Sequence, residues 1–268
     1  MLVSRAWAAL CQIGFVVALP ATATATEPDG PTWMMRIGGS LEYGPDYPGA
    51  RSRGFTPVLS DLELYRAEDG PTFGAPDDGY ELPLFDNGWL NLGPVGDYQP
   101  GRSAGDDARL SGLDNYPATF VAGLYAEAWP VADRLRGRIE LLQGLRSGAG
   151  LQASFFADWV EQHGPWTFSG GPRAVWGNAA FMRDRFGISP AAEANSGLPA
   201  HDVDAGFSSV GMTLAVSYAL SPRWTVTLYD AYGRLVGDAA DSPIVQTIGS
   251  KDQNILGMSL EFTFDTGF

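Results

Sequence analysis

The feature that most constrains this chain is an alternation of apolar with polar or small residues. The alternation is clear in 134–142, 150–160 and 211–220, where one parity carries leucine, isoleucine, valine or aromatic side chains. Because successive side chains of a β-strand point to opposite faces, a period of two predicts strands with one apolar face. The chain is therefore predicted to be built mainly from strands.

The same period predicts about twelve strands. They fall near 33–43, 55–65, 79–85, 88–97, 118–129, 134–143, 150–161, 165–176, 178–188, 204–219, 222–236 and 253–268. Several are ten residues or longer, which exceeds the usual length of strands in globular proteins. The 34 glycines and 19 prolines favour many turns over long helices. The sequence is thus predicted to be all-β and antiparallel, with tight turns alternating with long polar loops.

The N-terminal residues 1–25 are typical of a secretory signal peptide. Arg5 provides the positive charge, an apolar stretch follows, and "ATATA" at 21–25 offers small-residue cleavage sites. The apolar stretch is shorter than the roughly 20 residues that a membrane-spanning helix needs. We expect residues 1–25 to be removed and residues 26–268 to form one domain. The single cysteine, Cys11, would leave with the signal, so disulfides and thiol chemistry are not expected.

The charge of the chain excludes one class of partner. The net charge is −14 at pH 7, from 17 basic and 31 acidic residues. A surface this acidic cannot neutralise phosphates, so nucleic-acid binding is not expected.

Two architectures fit a secreted chain of this kind. A soluble sandwich buries its apolar faces, whereas a transmembrane β-barrel turns them to lipid and encloses the polar faces in a lumen. Three features favour the barrel: charged residues at mid-strand on the polar faces, strands of about ten residues, and Trp129, Trp166 and Trp224 beside turns, where an aromatic girdle would lie. The predicted fold is one antiparallel transmembrane barrel of about twelve strands.

The last stretch, "GMSLEFTFDTGF" at 257–268, supports this prediction. Phe262, Phe264 and Phe268 share one parity, and an aromatic final residue resembles the C-terminal signature of outer-membrane barrels. The last strand is expected to pair with the first, because a free strand edge is costly where no water reaches the backbone.

An even number of strands places both termini at one end of the barrel, which we assign to the periplasm. Loops 189–203 and 236–252 would then face outside, and the turn at 220–222 inside. The twelve predicted strands also make 98–117 a long periplasmic loop, for which we predict a docking role.

An alternating row of charged residues on one strand is the sharpest electrostatic feature. Arg134, Arg136, Arg138 and Glu140 share one face, and Asp158 lies on the next predicted strand. One interpretation is a channel lining that selects anions. The other, which we favour, is an ion-pair network with acids such as Glu127, Glu140, Asp158 and Glu161 that fills a closed lumen.

Two longer stretches carry a family resemblance. "EYGPDYPGARSRGFTPV" at 42–58 and "GDAADSPIV" at 237–245, with "FGIS" at 186–189 and "LSPRW" at 220–224, resemble the MipA/OmpV family of Gram-negative outer-membrane proteins, also called MltA-interacting proteins. The motif residues that carry the resemblance are Tyr47, Pro48, Gly49, Asp238, Asp241, Ser242 and Pro243. The resemblance implies an outer-membrane barrel in contact with lipid and lipopolysaccharide. It also implies a scaffold between a lytic murein transglycosylase and a murein synthase, without catalytic residues. A narrow channel for small solutes is the alternative function.

The residues themselves give little support to an enzyme, a cofactor or a metal. The two histidines, His163 and His201, have no partner serine at a recognisable spacing, and neither G-x-S-x-G nor H-E-x-x-H occurs. Asp238 and Asp241 offer carboxylates to a hard cation, but we favour a structural role, because Asp241 and Ser242 before Pro243 are typical of the start of a turn. We therefore predict no catalytic residue, no cofactor and no metal.

Overall fold

The computed structural model describes residues 32–267. The predicted signal peptide at 1–25 and the final aromatic residue, Phe268, lie outside the described residues, and the division into two segments at residue 25 remains a prediction.

The described residues form one antiparallel sheet of twelve strands that curls into a nearly closed barrel. The strands are β1 (Trp33–Pro45), β2 (Arg53–Arg66), β3 (Tyr80–Glu81), β4 (Phe85–Asp86), β5 (Leu90–Gln99), β6 (Thr119–Val131), β7 (Leu135–Gly144), β8 (Leu151–His163), β9 (Trp166–Gly177), β10 (Gly206–Ser221), β11 (Trp224–Leu235) and β12 (Asp252–Asp265). The helices are α1 (Ala179–Phe186), α2 (Pro190–Ser196) and α3 (Gly237–Asp241), with a 3₁₀ turn at Ala108–Leu110 and a π-helical turn at Ile244–Ile248. The predicted all-β class and antiparallel barrel are confirmed.

The predicted pairing of the last strand with the first is also confirmed. β12 runs antiparallel to β1 from the pair Met34–Asp265 to the pair Tyr43–Leu256. The order of strands around the wall is β2-β1-β12-β11-β10-β9-β8-β7-β6-β5-β3, with β4 also paired to β5. The only break in this circuit, within residues 32–267, lies between β2 and β3.

The predicted strand at 178–188 is wrong, because most of this segment is helix α1. The Asn178 side chain accepts a hydrogen bond from the backbone N–H of Phe181, which stabilises the first helical turn. Phe181, Met182 and Phe186 are all buried on one side of the helix. Their spacing matches a helical face, which alternating polarity alone did not reveal.

The predicted strand at 79–85 is also wrong in its extent. Only Tyr80–Glu81 and Phe85–Asp86 pair with β5, and Pro83 separates the two short strands. Proline lacks a backbone N–H and cannot continue a ladder of hydrogen bonds. Ten long strands therefore form most of the wall, and β3 and β4 fill the place beside β5.

The arrangement of the loops also differs from the prediction. The described chain termini share one end with the turns at 132–134, 164–165 and 222–223, which we call the terminal end. The opposite, capped end carries 46–52, 100–118, 145–150, 178–205 and 236–251. The prediction that 98–117 is a periplasmic loop on the same side as the termini is wrong, because this loop lies with 189–203 and 236–252. The predicted side is reversed because residues 67–79 cross the barrel inside the lumen before β3, which adds one crossing before 98–117.

The outer face of the barrel is apolar. Exposed side chains on alternate positions include Leu41, Leu124, Ile139, Leu214, Leu228, Met258 and Leu260. Phe262 and Phe264 lie on the same face of β12, where Phe262 packs 4.5 Å from the Trp224 ring. Trp166 and Trp224 are exposed near the terminal end, as predicted for a girdle. Trp129 instead packs inside, with its ring 5.9 Å from that of Phe73.

The capped end is closed by its own small apolar core. One buried cluster joins Phe181, Met182 and Phe186 of α1 to Val203, Leu235, Ala239, Ala240 and Val245. A second joins Tyr47 and Ala50 to Leu110, Leu113, Ile188, Ala192 and Ile244. Because four different loops contribute to these clusters, they form one packed cap across the barrel mouth. No helix within 32–267 is long and apolar enough to cross a membrane.

Candidate functional site in the barrel lumen

The inward face of β7 carries two buried arginines. Arg136 is 0% exposed and Arg138 is 2% exposed. Arg136 lies 2.7 Å from the Glu127 carboxylate and 3.0 Å from that of Asp158. Arg138 lies 2.7 Å from Glu140 and 3.2 Å from Glu127. Strict alternation on β6, β7 and β8 turns all five side chains into the lumen, where they form one network.

A segment that lies inside the barrel, and is not one of the strands of the wall, completes this network. Residues 67–79, which we call the lumenal segment, leave the terminal end of β2 and rise inside the barrel to β3. Asp78 pairs with Arg136 at 2.5 Å, and Asp77 pairs with Arg173 of β9 at 2.8 Å. The backbone N–H of Gly79 donates to Glu140 at 3.1 Å. The lumenal segment is thus fixed to the wall by ion pairs on several strands.

Aromatic rings and further acids surround the same arginines. Arg138 lies 4.3 Å from the centre of the Tyr125 ring and also pairs with Glu81 of β3. Arg173 contacts Asp158 at 2.7 Å. The guanidinium groups of Arg136, Arg138 and Arg173 therefore face six carboxylates: Asp77, Asp78, Glu81, Glu127, Glu140 and Asp158. Each of the three guanidinium groups is paired with carboxylates. Within the described residues, these arginines therefore do not form the row of unpaired positive charges that an anion-selective channel would need.

Arg134 does not belong to this network. It precedes β7 in the turn at the terminal end, its side chain is 56% exposed, and it pairs with Glu161 at 3.0 Å. The predicted lumen row of three arginines is therefore wrong at Arg134, because the strand begins one residue later. Glu161 shares the outward parity of Trp159, whose ring N–H donates to it at 3.0 Å.

Beside the network lies a cavity of about 570 Å³. Its inner wall is lined by small polar side chains of β9 to β12, among them Ser169, Ser217, Thr225, Thr227 and Ser259. Across the cavity, Arg36 of β1 pairs with Asp61 and with Glu63 of β2. One half of the lumen is therefore filled by ion pairs, and the other half is an open polar space.

The motif around Tyr47 has a structural role in the cap. The backbone N–H of Ala50 donates to the Tyr47 carbonyl at 2.8 Å, with Pro48 and Gly49 between them. Gly49 has a φ of +90°, and proline before such a glycine is typical of a type II turn. Burial raises the pKa of the Tyr47 phenol, so its hydroxyl stays neutral inside the apolar cluster.

The second motif packs against the first. Ile244 shares a cluster with Tyr47, and Gly49 accepts a hydrogen bond from the Ser250 N–H at 2.9 Å. Ser242 is fully buried and donates to the Phe186 carbonyl at 2.7 Å, while Pro243 begins the π-helical turn. The two stretches that carry the family resemblance therefore meet in the cap.

The two aspartates of the second motif are engaged within the loops. Asp238 accepts from the Asp204 N–H at 3.2 Å, and Asp241 lies 3.6 Å from the Lys251 ammonium. His201 contacts the Asp238 carbonyl at 3.0 Å. Within 32–267, no three His, Cys, Asp or Glu side chains converge as a metal site would require.

Sequence reasoning missed the contribution of the lumenal segment. Asp77, Asp78 and Glu81 are half of the carboxylates in the network, and Arg173 is its third cation. The available signal was a pair of adjacent acids in a proline- and glycine-rich connection, next to strands with buried arginines. Local pattern alone does not show that such a connection turns inward.

An apolar outer face, a polar lumen and a wall of antiparallel strands define a transmembrane β-barrel of the outer-membrane class. A family model described as "MltA-interacting protein MipA" matches residues 37–264, and the chain belongs to that family. The resemblance carried by the two motifs and the outer-membrane location are thereby confirmed.

Several proteins of known structure are similar to this chain at low identity. OmpT of Vibrio cholerae is 10% identical over 87% of this chain and 96% of its own, with a TM-score of 0.34. OprG of Pseudomonas aeruginosa is 10% identical over 87% and 96%, with a TM-score of 0.27. Neisserial surface protein A is 12% identical over 87% and 97%, with a TM-score of 0.27. At these scores the likenesses carry no argument about function. No curated protein matches the chain.

Proposed function

We propose that this protein is a non-enzymatic outer-membrane protein that holds partners at the cell envelope. The observation that carries the proposal is the obstruction of the lumen. The lumenal segment fills one half through buried ion pairs, and the cap closes one mouth with two apolar clusters. A barrel closed in this way is better suited to presenting surfaces than to passing solutes.

The terminal end is proposed to face the periplasm. In outer-membrane barrels the short turns lie on the periplasmic side and the longer loops outside. Three connections at the terminal end, at 132–134, 164–165 and 222–223, are two or three residues long, whereas all five loops at the capped end are longer. The loop 98–117 lies at the opposite, capped end and so cannot meet a periplasmic partner in this orientation. The short turns at the terminal end become the surface for periplasmic partners.

The proposed partners are a lytic murein transglycosylase and a murein synthase. The family description names an interaction with MltA, which supports the first of these for this chain. Binding of purified murein transglycosylase to the detergent-solubilised barrel tests it. We expect Arg223→Glu, in an exposed turn of the terminal end, to weaken binding several-fold. The matched control Arg109→Glu, at the capped end, leaves binding unchanged. The opposite pattern would show that the partner approaches the capped end.

The rival function is a narrow channel, and planar-bilayer conductance separates the two. We expect the wild-type barrel to give no discrete current steps, because the lumenal segment and the cap block a continuous path. Current steps whose size changes in Arg136→Ala or Arg138→Ala, but not in the exposed control Arg134→Ala, would overturn the scaffold proposal in favour of the channel.

A further inference from the structure

The break in the barrel wall between β2 and β3 leaves one edge of β2 without a strand partner in residues 32–267. β2 pairs with β1 along its length. Across the break, β2 and β3 share one hydrogen bond within the described residues, in which the Tyr80 hydroxyl donates to the Leu59 carbonyl. Backbone groups at membrane depth require a polar partner, because hydrocarbon offers none. The unpaired backbone groups of β2 at the break therefore need a polar partner at the depth of the bilayer.

The cavity in the lumen crosses the wall at this break. Strands β9 to β12 contribute inward-facing side chains to its lining. β1, β2 and the 80–83 stretch also contribute Met35, Leu62, Leu64 and Leu82, which lie on the outer face. Leu62, Leu64 and Leu82 are exposed to the surroundings of the barrel. One continuous space therefore joins an apolar groove on the lipid face to the polar interior.

The inner part of this space presents acceptors rather than cations. Arg36 is the one basic side chain that the described residues contribute to the lining, and Asp61 and Glu63 already pair with it. Glu261 also lines the cavity and forms no salt bridge within the described residues. The Asp78 side chain is 9% exposed. Its Oδ1 has no hydrogen-bond partner among residues 32–267, and Arg138 Nε lies 3.9 Å away from it. A buried carboxylate oxygen without a hydrogen-bond partner points to a donor that residues 32–267 do not supply.

We propose that the break is a lateral entrance from the bilayer, and that the cavity binds a single-chain amphiphile with an ammonium headgroup. The headgroup lies among Glu261, Asp78 and the hydroxyl groups, and the alkyl chain lies against Met35, Leu62 and Leu64. An ammonium group supplies three donors and the charge that the lining lacks. A volume of about 570 Å³ is within the range of small-molecule sites. An anionic headgroup is disfavoured by the surplus of carboxylates.

The headgroup part is tested by calorimetric titration of the full chain in a neutral maltoside detergent, with dodecylammonium as the probe. We expect saturable binding of dodecylammonium and none of dodecyl sulfate. Glu261→Gln is expected to weaken binding at least about tenfold, because it removes a charge-assisted hydrogen bond. The matched control Glu161→Gln, outside the cavity, leaves affinity unchanged. Equal binding of both probes, or equal effects of the two variants, would overturn the assignment.

The lateral entrance is tested separately with a bulky side chain at the groove. Leu62→Trp is expected to slow dodecylammonium binding to vesicle-embedded protein at least about tenfold, whereas Leu228→Trp, on the outer face of β11, has no effect. Gel migration without heating shows whether each variant is folded. If butylammonium binds as tightly as dodecylammonium, and binds equally to both variants, the lateral entrance is overturned, and the ligand enters from the terminal end instead. Crosslinking of vesicle-embedded wild-type protein into dimers through β2 would also overturn the proposal, since a second copy would then cover the edge.

Discussion

At the scale of single residues, the lumen depends on charges that have no access to bulk water. Arg136 is fully buried between the carboxylates of Glu127, Asp158 and Asp78. Desolvation of such charges is expensive, and only close pairing offsets it. The ion pairs therefore stabilise the barrel only while Arg136 and its carboxylate partners are all present.

Replacement of Arg136 by alanine is therefore expected to destabilise the barrel by about 3–5 kcal/mol, since it leaves three buried carboxylates without their shared cation. Urea unfolding in detergent, followed by gel migration, measures the difference. Arg134→Ala is the matched control, because this exposed arginine forms one surface pair, and its loss is expected to change stability by less than about 1 kcal/mol. Equal effects of the two substitutions would contradict the buried network.

Tyr47 offers a second test at this scale. Its ring is 1% exposed in the cap, and its hydroxyl has no hydrogen-bond partner within 32–267. Tyr47→Phe removes a buried polar group that gains nothing, so stability is expected to stay within about 1 kcal/mol or to rise. Tyr47→Ala leaves a cavity and is expected to cost about 3 kcal/mol or more. Thermal unfolding of both variants checks the order, and a larger loss in Tyr47→Phe would assign a function to the hydroxyl.

At the scale of elements, helix α1 decides how the capped end is closed. Asn178 accepts from the Phe181 N–H at 2.9 Å and from the Leu151 N–H at 3.1 Å, so one side chain begins the helix and joins it to β8. The helix then places Phe181, Met182 and Phe186 in the apolar cluster of the cap.

Asn178→Ala is expected to destabilise the cap by about 1 kcal/mol, the usual loss for an N-cap side chain. Because the barrel wall does not depend on this contact, the effect should appear as faster proteolysis within 178–205, with little change in gel migration. Asn195→Ala, an exposed position near the end of α2, is the control. Loss of the folded band in Asn178→Ala would mean that cap and wall unfold as one unit.

The elements also show where reading the sequence succeeds. The strands β6, β7, β8 and β10 were predicted to within a few residues, because each has one lipid face and one lumen face and so alternates cleanly. α1 was predicted as a strand, since its buried face has a helical spacing within only eight residues. β3 and β4 were predicted as one strand, because the interruption at Pro83 was not recognised.

At the scale of the whole molecule, one wall of hydrogen-bonded strands should resist detergent. Without heating, the protein is expected to migrate on a denaturing gel differently from the boiled sample, since the compact barrel binds less detergent than the unfolded chain. In Arg136→Ala the temperature at which the two bands interconvert should fall, because its lumen network is broken. A single band at all temperatures would argue against a stable barrel.

The sequence by itself determined the class of fold, the faces of the strands and the family. Alternation fixes which side chains meet lipid and which meet the lumen, because the period of a strand is a local property of the backbone. Arg136, Arg138, Glu140 and Asp158 could therefore be placed inside from the sequence.

Only the tertiary structure decided that residues 67–79 turn inward, that the two motifs meet in the cap, and that the wall is broken beside β2. These features depend on contacts between residues far apart in the chain, such as Asp77 with Arg173 and Tyr47 with Ile244. Buried charges and apolar loop residues stabilise the fold only through the partners that the closed barrel brings next to them. A local sequence pattern does not specify which distant residues become those partners.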